Sequence, residues 1–216
     1  MKQNLRDILD AWQHSFIRDE DLSNLLHKSD HARYSVIKRA LKVGILLRIR
    51  RGLYLIGHKI KQKLPDEFEL ALLIYSPSII SLESALSYHG WIPEVVYTTT
   101  CTTPKRTKEF KTPIGIFSYK KIPETGFYVG VKRIATQTGI ILMAEPWRAL
   151  ADFMYTRHKS WKNCGELEAD LRIDQSTLTS TDRQLLITLS ESYPSTRVCK
   201  GLKRILQEIT KVRKFS

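Results

Sequence analysis

Between Arg33 and Lys63 the sequence carries ten basic residues (Arg33, Lys38, Arg39, Lys42, Arg48, Arg50, Arg51, Lys59, Lys61 and Lys63) and no Asp or Glu. A one-signed run of this length suits one kind of chemistry. Lysine neutralises phosphates as a compact point charge, and arginine adds bidentate hydrogen bonds to phosphate oxygens or guanine edges. The spacing is informative as well. Ser35, Lys38, Arg39 and Lys42 fall at i, i+3, i+4 and i+7, which places them on one helical face, while Ile37, Ala40 and Leu41 form the opposite face. Arg48, Arg50 and Arg51 crowd a tight turn at Arg51-Gly52 between two apolar segments, where glycine supplies a positive φ.

The other residue types capable of chemistry do not assemble into a recognisable site. Glu83, Glu145 and Asp152 are not joined by a metal-ligand spacing and match no nuclease or hydrolase signature, so they read as caps, surface charge or structural pairs. His27 and His31 are four apart with Asp30 between them but lack a third ligand nearby. His89 reads as a helix C-terminal residue beside Gly90. Ser81 and Ser84 lack the G-x-S-x-G context of an activated nucleophile, and no glycine-rich phosphate loop occurs. Cys101, Cys164 and Cys199 are odd in number and far apart, which points to neither disulfides nor zinc. No catalytic residue, metal or cofactor is therefore expected. The enzyme-class alternative is a DNA-processing activity resting on Glu83 or Asp152.

Composition agrees with a polyanion-binding module at the start of the chain. The net charge is +13 over 216 residues, and residues 1–64 hold 14 Lys+Arg against 6 Asp+Glu, leaving 21 against 16 for the rest. Concentration of the excess in the first third favours local binding over diffuse solubility charge. The start, MKQNLRDILDAW, has no continuous apolar core of the signal-peptide kind, and Ile140–Ala144 is too short to cross a bilayer. A cytoplasmic protein without membrane partners is expected.

The elements that must hold the basic residues follow from periodicity. Leu5, Ile8, Leu9 and Trp12 predict a first helix. Phe16-Ile17 enters a polar turn, and Asp19 caps a second helix with Leu22, Leu25 and Leu26. After Lys28–His31 comes the basic helix, with Tyr34 and Val36 packing at its edges, stopped by Gly44. Ile45–Arg50 and Leu53–Ile56 read as strands of a hairpin. Three short helices and a hairpin in this order form a winged helix-turn-helix, a fold that meets double-stranded DNA with helix and wing. DNA contact is expected from Arg33, Ser35, Lys38, Arg39, Lys42, Arg48, Arg50 and Arg51.

Residues 58–65 break the periodicity, and Pro65 marks the expected boundary between a winged-helix module (1–64) and a second module (65–216). The second module reads as mixed α+β, with a small mostly antiparallel sheet and C-terminal helices. Helices are predicted before Pro77 and from Ser81 to Gly90. Strands are predicted at 95–101, 114–119, 127–131 and 134–136 with 139–143, the last two flanking a turn at Gln137–Gly139. A helix begins at Pro146, and two or three more follow, one near Glu166, one after Thr179 and Asp182, and one from about Arg197 to Lys211. Lys105, Arg106, Lys108 and Lys111 lie in a predicted loop. Lys200, Lys203, Arg204 and Lys211 share a face of the last helix, either solvated or forming a second nucleic-acid surface.

Four blocks, KRALKVGILLRIRRGLYLI (38–56), SIISLESALSYHGWIPE (78–94), GIFSYKKI (115–122) and AEPWRALADFMY (144–155), resemble the AbiEi family in content and order. That family is the antitoxin half of a type IV toxin–antitoxin system linked to abortive phage infection. The resemblance implies a winged helix that binds operator repeats in its own promoter and represses the operon, alone or as a dimer on DNA. It also implies a C-terminal antitoxin domain that counters a nucleotidyltransferase-type toxin without a stable complex. Residues beyond about 160 carry no resemblance. The alternative is a plain winged-helix transcription regulator whose second module senses a ligand or partner.

Overall fold

A computed structural model describes residues 4–62, 66–136, 139–180 and 182–212. The chain opens with α1 (Leu5–Ala11), β1 (Phe16–Arg18), α2 (Asp19–Leu26) and α3 (Asp30–Lys42), followed by β2 (Leu46–Arg50) and β3 (Leu53–Ile56). The fold class expected from the sequence is present: an N-terminal winged helix followed by a mixed α+β module with C-terminal helices. Local differences appear in the first module, where Arg18 rather than Asp19 is the N-cap residue of α2. Phe16–Arg18 form a strand rather than a turn, pairing antiparallel with Leu53–Leu55. A three-residue strand is too short to show an alternation, so only its partner reveals it. The basic helix also begins at Asp30, which places His31 on it.

Gly44 ends α3 with φ +73°, and Gly52 makes the hairpin turn with φ +77°, conformations that cost a side-chain-bearing residue strain. The resulting three-stranded sheet has the order β1-β3-β2. Its two faces serve two cores. Tyr54 and Ile56 join Leu9, Ile17, Leu22, Ile37 and Leu46 under the three helices. Leu53, Leu55 and Ile49 point the other way and belong to the large core of the second module. The central strand β3 is accordingly buried at every position, as a strand covered on both faces must be.

A short helix α4 (Gly57–Gln62) follows, where the sequence reads as irregular connector. Pro65 and Lys63 lie outside the described residues. α5 (Glu67–Ile74) is capped by the Asp66 carboxylate, which accepts from the Phe68 and Glu69 amides. Next come β4 (Ile79–Ile80), α6 (Leu82–Tyr88), β5 (Thr98–Thr103), β6 (Lys108–Thr112), β7 (Gly115–Lys121), β8 (Val131–Ala135) and β9 (Ile140–Ala144). Together the strands form a six-stranded sheet in the order β6-β7-β5-β4-β9-β8. Three of its pairings are antiparallel, while β5–β7 and β4–β9 run parallel.

The expected strand at 127–131 is instead a turn that gives way to β8 at Val131, and β5 begins only at Thr98. Lys108 and Lys111 lie on the edge strand β6 rather than in a loop. The hairpin β8–β9 forms with Ala135 opposite Ile140, and Gln137 and Thr138 of its predicted turn lie outside the described residues.

The chain ends with α7 (Pro146–Thr156), α8 (Cys164–Leu171), α9 (Gln175–Ser180), α10 (Arg183–Ser192) and α11 (Thr196–Val212). Among the described residues four helices thus follow α7, one more than the pattern indicates. α10 is capped by Asp182, which accepts from the Gln184 amide, and the Thr179 side chain is outside the described residues. α7 is buried from Trp147 to Met154, including Arg148 and Asp152. Their ion pair spans 2.9 Å, with each side chain almost fully buried. Asp152 also accepts from Ser81 Oγ, Thr102 Oγ1 and Tyr193 Oη. Arg148 Nη1 donates to the Gly126 and Val129 carbonyls. The pair and its partners tie α7 to α6, β5, α10 and the 124–130 turn, which satisfies the polar groups that burial would otherwise leave costly.

Candidate nucleic-acid interface

α3 divides its side chains as the spacing requires. Ile37 and Ala40 are buried against α1 and α2, and Lys38, Arg39 and Lys42 are exposed on the far side. Ser35 lies on that far side too, its hydroxyl donating to the His31 carbonyl one turn back at 3.1 Å. Arg39 Nε donates to the Ser35 carbonyl at 3.4 Å. The exposed face contains no carboxylate from Ser35 to Lys42.

Arg48 and Arg51 are exposed on the wing. Between wing and helix runs a crevice of about 660 Å³, lined by Arg33, Tyr34, Lys38, Arg48 and Arg51 with Asp19 and Asp30. Tyr54 borders it, and burial, reinforced by the negative charge of Asp19, pushes its phenol above the ordinary range. Tyr34 is 62% exposed here, where sequence reasoning packs it at the edge of the helix's apolar face. Its position at the margin of the apolar stripe gives no signal to choose between the two; the location of the wing decides it.

Two of the sequence-predicted site residues occupy different surroundings. Arg33 faces α2: Nη1 donates to Ser23 Oγ at 2.8 Å and Asp30 Oδ1 at 2.9 Å, and Nη2 reaches Asp19 Oδ2 at 3.5 Å. It clamps α3 to α2 and compensates the two carboxylates nearest the crevice. Arg50 turns away from the wing tip towards the second module. Its Nη2 reaches the Leu73 carbonyl at 3.5 Å and Nη1 the Arg51 carbonyl at 3.1 Å. The structure brings Arg33, Lys38, Arg48 and Arg51 around one crevice, Arg33 being held there by ion pairs, while Ser35, Arg39 and Lys42 lie along α3 and Arg50 lines a neighbouring pocket with Arg51. Lys59 is on α4, away from both α3 and the wing turn in sequence and half-buried.

The candidate catalytic residues are dispersed. Glu83 pairs with Arg157 and Glu145 with Lys132, and Asp152 is inside the buried network. Hydrogen bonding to Glu145 raises the Lys132 ammonium above its usual value. His89 contacts the Ala144 carbonyl through Nε2 at 2.9 Å. Burial, aided by Glu208, pushes the Cys164 thiol up to about 12, an unreactive setting. Among the described residues no group of three or more His, Cys, Asp or Glu is arranged to hold a metal ion. No helix among them is long and apolar enough to cross a membrane. Lys200, Lys203, Arg204 and Lys211 are exposed along α11.

No curated protein matches the chain. A family model described as "Transcriptional regulator, AbiEi antitoxin" matches residues 7–57, a span that runs from α1 through the end of the wing and contains the whole basic face. The blocks at 78–94, 115–122 and 144–155 fall outside it. Over its winged-helix module, the chain is similar to the AbiEi antitoxin family of transcriptional regulators.

Proposed function

We propose that the protein binds double-stranded DNA through α3 and the wing, represses its own toxin–antitoxin operon, and counters a nucleotidyltransferase-type toxin through the second module. The observation that carries the DNA reading is the acid-free stretch of α3 with Ser35, Lys38, Arg39 and Lys42, whose Lys38 lines one crevice with Arg48 and Arg51 of the wing. A helix of this kind places its side chains on base edges while wing cations hold phosphates. The antitoxin activity rests on the family that the first module resembles, and the second module acts in it without forming a stable complex with the toxin.

Fluorescence anisotropy with a duplex from upstream of the protein's own reading frame, against a scrambled duplex of equal length, tests the repressor. Preference for the native duplex is expected, and engagement of roughly five phosphates per copy gives a log–log salt slope of about −4 to −5. Equal affinity for both duplexes would reject operator recognition. Co-expression with the adjacent reading frame tests the antitoxin, and failure to restore growth from a demonstrably toxic neighbour would reject it.

A further inference from the structure

A cleft of about 540 Å³ opens where the winged helix meets the second module. β1 supplies Phe16 and Arg18, α5 supplies Leu72 and Leu73, and the second module supplies Ser78, Tyr128, Arg133 and Leu142. The volume falls within the usual range of small-molecule sites, and the walls are apolar with a few convergent polar groups, as such sites are. Three features point to what it takes. Tyr128 is 61% exposed and Ile140 at the same rim is 49% exposed, an uncovered apolar surface. Arg18 and Arg133 are exposed and hold no ion pair among the described residues. Ser78 lines the cleft and is 3% exposed, and its hydroxyl is buried with no hydrogen-bond partner among the described residues. A buried hydroxyl without a partner is a cost that a ligand oxygen can remove. Glu69 also lines the cleft, buried and already engaged within the protein.

We propose that this cleft binds a small aromatic carboxylate, its ring on Tyr128, Phe16 and Leu142 and its carboxylate on Arg18 and Arg133, with Ser78 hydrogen-bonded to it. Arginine is the side chain suited to a planar carboxylate, and aromatic walls supply contact at low entropic cost. The site is also coupled to the wing. β1 is hydrogen-bonded to β3, and the amide of Asp19, next to Arg18, donates to the Gly52 carbonyl of the wing turn at 3.0 Å. Occupancy therefore stiffens the strand and turn that carry Arg51. This gives the second module a route to the DNA-binding face that does not depend on the identity of any toxin.

The test uses the full-length protein and 2-naphthoate as probe, with neutral 2-naphthamide as its isostere, followed by fluorescence anisotropy. Saturable one-site binding of the carboxylate is expected, weaker by about tenfold or more for the amide and for Arg18→Glu and Arg133→Glu. Both arginines are exposed, so the variants should melt like the parent protein. Tyr128→Ala provides a third, uncharged variant with the same expected loss. Hydrogen exchange should slow at residues 16–18 and 52–55 when the probe binds. Absence of saturable binding, equal binding of the amide, or binding unchanged in the arginine variants would each overturn the proposal. None of these readouts requires the protein to bind DNA, so failure here is distinguishable from failure of the repressor reading.

Discussion

Tyr54 and Leu55 are neighbours on β3, yet Tyr54 closes the winged-helix core and Leu55 closes the core of the second module. Alternation along a strand sends successive side chains to opposite faces, and here both faces are covered. The two modules therefore share a sheet. Leu55→Ala removes a fully buried side chain at this junction and should cost about 2–5 kcal/mol, the range for Leu-to-Ala in a packed core. Urea unfolding should remain a single transition when followed at Trp12 of the first module and at Trp91 and Trp147 of the second. Two separated transitions in the parent protein would contradict a shared core.

Asp152 sits at the meeting point of four donors and carries the charge that balances Arg148. Removing one member of a buried pair leaves the other uncompensated, which typically costs about 3–5 kcal/mol. Asp152→Ala should show that loss in chemical denaturation. Exposed Glu109→Ala on the edge strand should melt like the parent. Near-parent stability for Asp152→Ala would mean that the network contributes little and would reopen a functional role for this carboxylate.

The pattern of the chain reveals most of this architecture and misses particular pieces for physical reasons. α3, its Gly44 stop, the Arg51-Gly52 turn and α7 after Pro146 are local matters of periodicity and backbone preference, and they are legible. β1 has only three residues, and its existence depends on Leu53–Leu55 lying alongside. The strand expected at 127–131 has β-rich composition, but its Val129 carbonyl is used by Arg148 and Gly126 and Gly130 adopt positive φ, so a turn wins. The basic residues were all visible as a charge excess. Sorting them required tertiary contacts: nothing local says that Arg33 will meet Ser23 and Asp19, or that Arg50 will turn to Leu73. Tyr34 is the converse case, an aromatic read as packing that lies exposed in the crevice beside the wing.

Asp170 accepts from Lys159 Nζ and from Trp161 Nε1, and the Lys159 hydrogen bond holds its carboxyl below the usual carboxylate value, with the tryptophan bond adding to it. An unfolded aspartate titrates near about 3.9. Because the folded value is lower, the contribution to stability is fully present above about pH 4 to 5 and is lost as pH falls through the folded value. Asp170→Asn should therefore narrow its stability gap from the parent protein only at acid pH. An NMR titration of the Asp170 carboxylate with a midpoint at or above about 3.9 would refute the assignment.

Lys38 and Arg33 are both cations of α3 that line the same crevice, one turn and a residue apart, but only Arg33 is held by carboxylates. Lys38 is exposed there beside Arg48 and Arg51. Arg33 has only 15% of its side chain exposed and is bound to Ser23, Asp19 and Asp30. If Lys38 neutralises a phosphate, Lys38→Ala should weaken DNA binding and make the log–log salt slope shallower by about 0.9, with little change in melting temperature. Arg33→Ala should do the reverse. It leaves two solvent-screened carboxylates near the crevice without their cation and breaks the α2–α3 clamp, costing about 1 kcal/mol of stability while the number of released counterions stays the same. Arg33→Lys should not rescue it, because a single ammonium cannot span the serine and both aspartates as the planar guanidinium does. Anisotropy titrations at several salt concentrations, paired with urea unfolding of the same variants, separate the two roles. A salt slope reduced equally in both variants, at unchanged stability, would show that Arg33 also reaches the DNA.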